Sequence, residues 1–128
     1  MAALDKAKEA GKVRAVGMSC HGLGALQSAV TDGWSDVVFV RINYDGTRMD
    51  GAPSEVTPVI KQLYEAGKGL YAMKVLGCGR LTNDVNKAFS YVLGLGTVHA
   101  LSVGTGSVAQ LRQNVETMEA LSGTYPLA

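Results

Sequence analysis

The sequence predicts an α/β fold of four parallel strand–helix units, on three observations. Four short apolar runs alternate with segments of helical character, and the pattern repeats at about thirty residues, the size of one β-α unit. The runs are near-continuous in apolar residues, as in parallel sheets with covered faces. The fourth run enters a glycine turn and then a helix, Gly104-Thr-Gly-Ser-Val-Ala-Gln-Leu-Arg-Gln-Asn114. Such a junction aims backbone N–H groups and a helix N-terminus at an anion, usually a phosphate. Parallel neighbours need right-handed crossovers through helices. Four units of this kind form either an open α/β layer or half of a closed barrel, and periodicity does not choose between them.

Each element has its own signal. Residues 3–10 read as a lead helix stopped by Gly11, a C-terminal glycine cap. The first strand is expected over Val13–Ser19, followed by a helix over about 23–31 that ends at Asp32-Gly33. The second strand is expected over Asp36–Asn43, with a β-branched and aromatic core, Val37-Val-Phe-Val40. Two glycines, two aspartates and a proline make Tyr44–Pro53 a long loop. The next helix starts at Ser54, with Glu55 in its first turn, and stops at Gly67. It must tolerate Pro58, which suits only a first turn. The third strand is Gly69–Leu76, and Gly77-Cys-Gly79 is a loop. Thr82 or Asn83 caps a helix over about 83–93; the fourth strand is Val98–Val103. The last helix runs from about Ser107 to Leu121, giving a domain over 3–121 and a loose tail over 122–128 marked by Gly123 and Pro126.

Composition narrows the class. The 128 residues are 47% hydrophobic and 18% charged, which fits a single globular domain with a real core. A complete eight-unit barrel needs roughly 250 residues. A net charge of +1 leaves no electrostatic footprint for nucleic acid or an anionic membrane surface. No apolar run approaches the length of a bilayer span. The N-terminus lacks the apolar core of a secretion signal, so a cytoplasmic location is expected. Cys20 and Cys78 are too few for a disulfide framework and are expected as reduced thiols.

The strand ends hold the candidate chemistry. Gly17-Met-Ser-Cys-His21 closes the first strand. Ser19 reads either as a ligand contact or as a turn serine serving local backbone. Cys20, His21 and Cys78 supply too few convergent ligands for zinc, so no metal is expected. In the second strand, period-two alternation puts Phe39, Arg41 and Asn43 on one face. If that face is the inner one, Arg41 needs a carboxylate, a phosphate or water. With the opposite parity, Val38, Val40 and Ile42 face inward instead. Lys74, an unusual guest in an apolar run, is either a perturbed amine or phosphate contact or a snorkelling rim lysine. In the last junction, Gly104 and Gly106 permit positive φ and close ligand approach. Gln110 and Asn114 share a helix face beside it. The plainer reading makes Ser107 an N-cap and the glycines a turn.

Four stretches together resemble the aldo-keto reductase family: Glu9-Ala-Gly-Lys-Val-Arg-Ala-Val-Gly-Met-Ser19, Asp36-Val-Val-Phe-Val-Arg-Ile-Asn43, Gly69-Leu-Tyr-Ala-Met-Lys-Val-Leu-Gly-Cys-Gly79, and Val103 to Asn114. They occur in the family's order and match its fifth to eighth strands. The resemblance implies a (β/α)4 half of a TIM barrel with parallel strands and outer helices. It also implies part of a platform for NADP or NAD. Ser19 corresponds to a nicotinamide carboxamide contact, although Cys20 stands where an asparagine is common. Asn43, or alternatively Arg41, corresponds to the amide of the sixth strand. Met73 replaces a stacking tyrosine, and methionine still packs on a ring. Leu76 and Gly77 correspond to the loop around the pyrophosphate. Thr105 and Gln110 correspond to contacts near the 2′-phosphate, and Asn114 to the adenine-binding asparagine. Gln113 replaces a common glutamate. The family's catalytic aspartate, tyrosine, lysine and histidine belong to its first four strands, so none of Tyr44, Tyr64, Tyr71, Lys74 or His21 corresponds to them.

A half barrel leaves two strand edges and an inner sheet face open. A two-fold homodimer closing eight strands is the expected solution, with a separate front-half polypeptide as the alternative partner. Two functions remain open on these grounds. One is an oxidoreductase-like domain that binds NAD(P)H with little standard carbonyl reductase activity alone. The other is a non-catalytic scaffold that self-assembles or completes a partner, since fold alone does not confer function. A truncated product without a selected role is a third reading.

Overall fold

The computed structural model describes residues 1–124. Four strands form one parallel sheet in the order β1-β2-β3-β4, with β1 Gly17–Ser19, β2 Val37–Arg41, β3 Gly69–Met73 and β4 Ala100–Ser102. The helices are α1 Ala2–Glu9, α2 Leu23–Thr31, α3 Pro53–Glu65, α4 Val85–Leu93 and α5 Val108–Ser122. The strand order runs with the chain and never reverses, unlike a doubly wound sheet. It is the topology of consecutive units of a (β/α) barrel.

The core lies between one face of the sheet and the helices. Val38 and Val40 of β2 and Leu70 and Ala72 of β3 are fully buried there. Against them pack Leu26 and Ala29 of α2, Val56, Ile60 and Leu63 of α3, and Ala88, Phe89 and Val92 of α4. The other face carries Val37, Phe39 and Arg41 of β2 and Gly69, Tyr71 and Met73 of β3, none fully buried. This settles the parity of the second strand. Phe39 and Arg41 face away from the helices, whereas Val38, Val40 and Ile42 lie under them.

The strands are shorter than the apolar runs, for identifiable reasons. The first begins at Gly17 because the preceding segment serves the end of α1: Lys12 and Val13 both donate to the Ala7 carbonyl. The second stops at Arg41 because Asn43 enters a side-chain-stabilised turn, its Oδ1 accepting from the N–H groups of Asp45 and Gly46. The third stops where Lys74 takes φ +61, a left-handed conformation unavailable to a strand.

Helix ends differ in similar ways. The third helix starts at Pro53 rather than Ser54, and Glu55 accepts from the Ala52 N–H at 2.8 Å. Pro58 therefore lies in the second turn, not the first. Neither Thr82 nor Asn83 caps α4; Asp84 does, accepting from the Lys87 N–H at 2.9 Å. The last helix extends through Ser122, so the expected tail begins one residue later, and Tyr125 to Ala128 lie outside the described residues. No residue of α1 is buried. The helix is tethered by Lys8 to Asp36 at 2.5 Å and by the Trp34 indole N–H to Asp5 at 2.5 Å. No helix among the described residues is long and apolar enough to cross a membrane.

Candidate functional site

The C-terminal ends of β3 and β4 hold two adjoining cavities. The first, about 310 Å³, is lined by Met73 through Leu76, Cys78, Gly79 and Ser102 through Gly104. The second, about 190 Å³, lies between Leu76, Thr82 and Val85 on one side and Gln110, Gln113 and Asn114 on the other. Leu76 and Gly104 line both. The α/β fold concentrates ligand sites at this end of the strands.

The β3 loop is held in a demanding shape. Lys74, Gly77 and Cys78 all have φ between +54 and +61. Two of these are not glycine, and left-handed non-glycine residues concentrate at functional loops. At Gly77 a Cβ would stand 3.1 Å from both Leu81 Cγ and Thr47 Cγ2, so glycine is needed there for space as well as φ. The Lys74 carbonyl accepts from the Gly77 N–H at 2.8 Å and from Asn43 Nδ2 at 3.0 Å.

Asn43 is fully buried and its amide is fully engaged. Its Nδ2 donates to the Thr47 and Lys74 carbonyls, and its Oδ1 accepts from two backbone N–H groups. An amide has two donor hydrogens and two acceptor lone pairs. Asn43 thus ties the β2 loop to the β3 loop and has no group left over for a ligand.

At the β4–α5 junction, Ser107 caps the helix by accepting from the Gln110 N–H at 3.2 Å. Gln110 reaches back, its Oε1 accepting from the Gly106 N–H at 2.8 Å. Neither Gly104 nor Gly106 adopts positive φ, so the left-handed turns sit after β3 instead. Thr105 is exposed between them and lines neither cavity. Asn114 is buried, 8% exposed, on the wall of the second cavity. Its amide has no side-chain hydrogen bond among the described residues and is not one of the sealed, unpartnered polar groups, so it keeps access to the cavity.

Ser19 lies elsewhere. It ends β1 on the face away from the helices, in an open concavity with Gly17, Phe39 and Tyr71. Beta1 and β4 are opposite edges of the sheet. Four of the eight predicted residues (Met73, Leu76, Gln110 and Asn114) therefore line the paired cavities; Gly77 and Asn43 are buried behind the β3 loop and shape it without lining either, and Thr105 and Ser19 stand apart.

A further cluster joins the β1 and β2 ends. Asp50 Oδ1 accepts from the Gly22 N–H at 2.8 Å and pairs with Arg41 at 3.3 Å, while Arg41 also contacts His21 Nδ1. The arginine on the helix-free face thus finds a carboxylate, while its Nε and the Asp50 Oδ2 stay buried without a partner among the described residues. Sequence reasoning missed Asp50, which sits in a polar loop with no motif around it. Cys20 is buried beside this cluster, and its thiol is pushed up in pKa by burial first, then by Asp50 and Asp32. Both cysteines are free, and no group of three metal-ligating side chains occurs among the described residues.

A family model described as Aldo/keto reductase family matches residues 1–93, from α1 to the end of α4. The Gly104–Asn114 junction lies beyond the matched span. Searches of the curated proteins and of the solved structures gave no match.

Proposed function

The chain belongs to the aldo/keto reductase family, and we propose on that premise that its β3–β4 mouth is a platform for NADP or NAD. In this reading the four units are the fifth to eighth of a family barrel. The unreversed strand order and the one-sided helix layer support that correspondence.

The observation that carries the proposal is Asn114. Its amide lines a cavity between two loops without a hydrogen bond among the described residues, and an amide open to a cavity can pair with a ligand that offers both donors and acceptors, such as a purine edge. Gln110 and Thr105 flank the helix start, where partial positive charge favours phosphate. The Gln110 carbonyl already occupies the Gly106 N–H, so a phosphate there meets the N–H groups further along the first turn. Leu76 lines both cavities, Gly77 sets the turn of the loop that carries it, and Met73 offers a polarisable surface for a ring at the far end. Asn43 holds this loop in place rather than touching the cofactor. Ser19 and Arg41 belong to the nicotinamide end only if the mouth is enclosed.

When bound, a reduced nicotinamide supplies a hydride. The described residues contribute binding and orientation, and the proposal assigns none of them a proton-transfer role. Fluorescence titration of the purified chain with NADPH tests the reading. Saturable binding is expected, weakened about tenfold in Asn114→Ala, the equivalent of one hydrogen bond. Absence of saturable binding overturns it.

A further inference from the structure

We infer, on the cofactor reading above, that the second cavity selects the dinucleotide without a 2′-phosphate, so that this chain prefers NAD(H) to NADP(H). The two cavities adjoin at Leu76 and Gly104 but differ in charge. The first holds one cation, Lys74, which forms no salt bridge among the described residues. The second holds none. Its polar wall consists of the amides of Gln110, Gln113 and Asn114 and the Thr82 hydroxyl, and the rest is apolar or glycine.

A phosphate monoester carries about −1.5 to −2 charges near pH 7. Taken out of water, it needs charged donors, of which arginine is the best fitted. The cations nearest this cavity in the chain are committed or turned away. Lys87 lies over the Tyr44 ring, 4.3 Å from its centroid. Arg112 follows Gln110 by two positions, about 200° round an α-helix, so it points away from the face shared by Gln110, Gln113 and Asn114. Arg80 is exposed and lines neither cavity. Asp84, between the lining residues Thr82 and Val85, adds an acid instead. Tyr125 to Ala128 include no lysine or arginine.

The start of α5 does not replace the missing cation. Two of its N–H groups are used internally: Gln110 donates to Ser107 Oγ and Gly106 donates to Gln110 Oε1. Thr105, the hydroxyl that the family resemblance sets near a 2′-phosphate, lines neither cavity. What the wall does offer is amides and a hydroxyl, groups that both donate and accept. They match the 2′- and 3′-hydroxyls of an unmodified ribose. The pyrophosphate, common to both dinucleotides, has Lys74 on the first cavity for its charge. The 2′-phosphate, which alone distinguishes them, has no such partner on the second.

Parallel fluorescence titrations of the purified chain with NADH and NADPH test this. Both are expected to saturate, with NADH binding about tenfold more tightly, because the extra phosphate enters without a charged partner. A second titration uses Gln113→Arg, which adds a cation to the wall and leaves the exchange between Ser107, Gln110 and Gly106 intact. Gln113 is exposed, so the circular dichroism of the variant should remain that of the wild type. Its NADPH affinity is expected to rise about tenfold, with NADH affinity changed by less than about twofold. Equal affinities or tighter NADPH binding in the wild type overturn the inference and leave the cofactor reading standing. So does a Gln113→Arg variant whose ratio of NADPH to NADH affinity is unchanged. If neither nucleotide binds, the cofactor reading fails and the inference with it.

Discussion

Phe39 and Tyr71 stand opposite each other in register on β2 and β3, with ring centroids 5.0 Å apart and planes within 15°. They stack on the sheet face that carries no helix. A stacked pair in this position has apolar surface on its outer side and gains further by being covered. Its coupling is expected at about 0.5–1.5 kcal/mol, measurable in a double-mutant cycle of Phe39→Leu and Tyr71→Leu by urea denaturation. No coupling would mean that the rings do not stack in solution.

Gly17 is expected to resist substitution more than any neighbour on that face. A Cβ there would lie 2.1 Å from the Val37 carbonyl oxygen, which is backbone and cannot swing aside. Gly17→Ala should cost about 1–3 kcal/mol by overpacking, whereas Gly24→Ala, with open space around it, should be near neutral. The comparison of denaturation midpoints checks both. A neutral Gly17→Ala would show that β1 sits farther from β2.

Asn43→Ala removes four hydrogen bonds linking the β2 and β3 loops. The expected loss is about 2–4 kcal/mol, given roughly 1 kcal/mol for each such bond. Because these bonds shape the cavity floor, hydrogen exchange at Gly77 and Gly79 should accelerate in the variant. Unchanged exchange would show that the floor is held by other contacts.

Acid should weaken the tie between α1 and β2 in a defined window. The Lys8 ammonium, and after it the Val16 N–H, hold the Asp36 carboxyl below its ordinary value of 3.8. A lowered folded value means stability that is fully present above the ordinary value and lost as pH falls through the folded one. The stability difference between wild type and Asp36→Asn should therefore be constant near neutrality and shrink below about pH 4. A difference independent of pH down to about 2 would contradict the assignment.

The helices, their order and the alternation of units were legible in the sequence because apolar periodicity and glycine stops report burial directly. Strand ends were not. Asn43 and Lys74 end their strands through a side-chain turn and a left-handed backbone, and apolar patterning carries neither signal. Asp84 caps α4 in place of its neighbours because the tight turn over Thr82–Asp84 shifts the helix start. Among the candidate residues, Gln110 and Asn114 were legible as sharing one helix face, and both line the second cavity. The exchange between Ser107, Gln110 and Gly106 was written in the sequence as a Ser-x-x-Gln capping pattern. Reading Gln110 for a ligand role alone passed over it. The Arg41–Asp50 pair joins a strand to a loop nine residues on, and no local pattern announces such a contact.

The central claim is that the β3–β4 mouth binds a nicotinamide dinucleotide. Its most direct test is amide chemical-shift mapping during a titration of the isotope-labelled chain with NADPH. The account predicts saturable shifts at Leu76, Gly77, Gly104, Thr105 and Asn114, including the Asn114 side-chain amide, with α2 and its flanking turns unmoved. Shifts confined to other surfaces, or none at all, would contradict it.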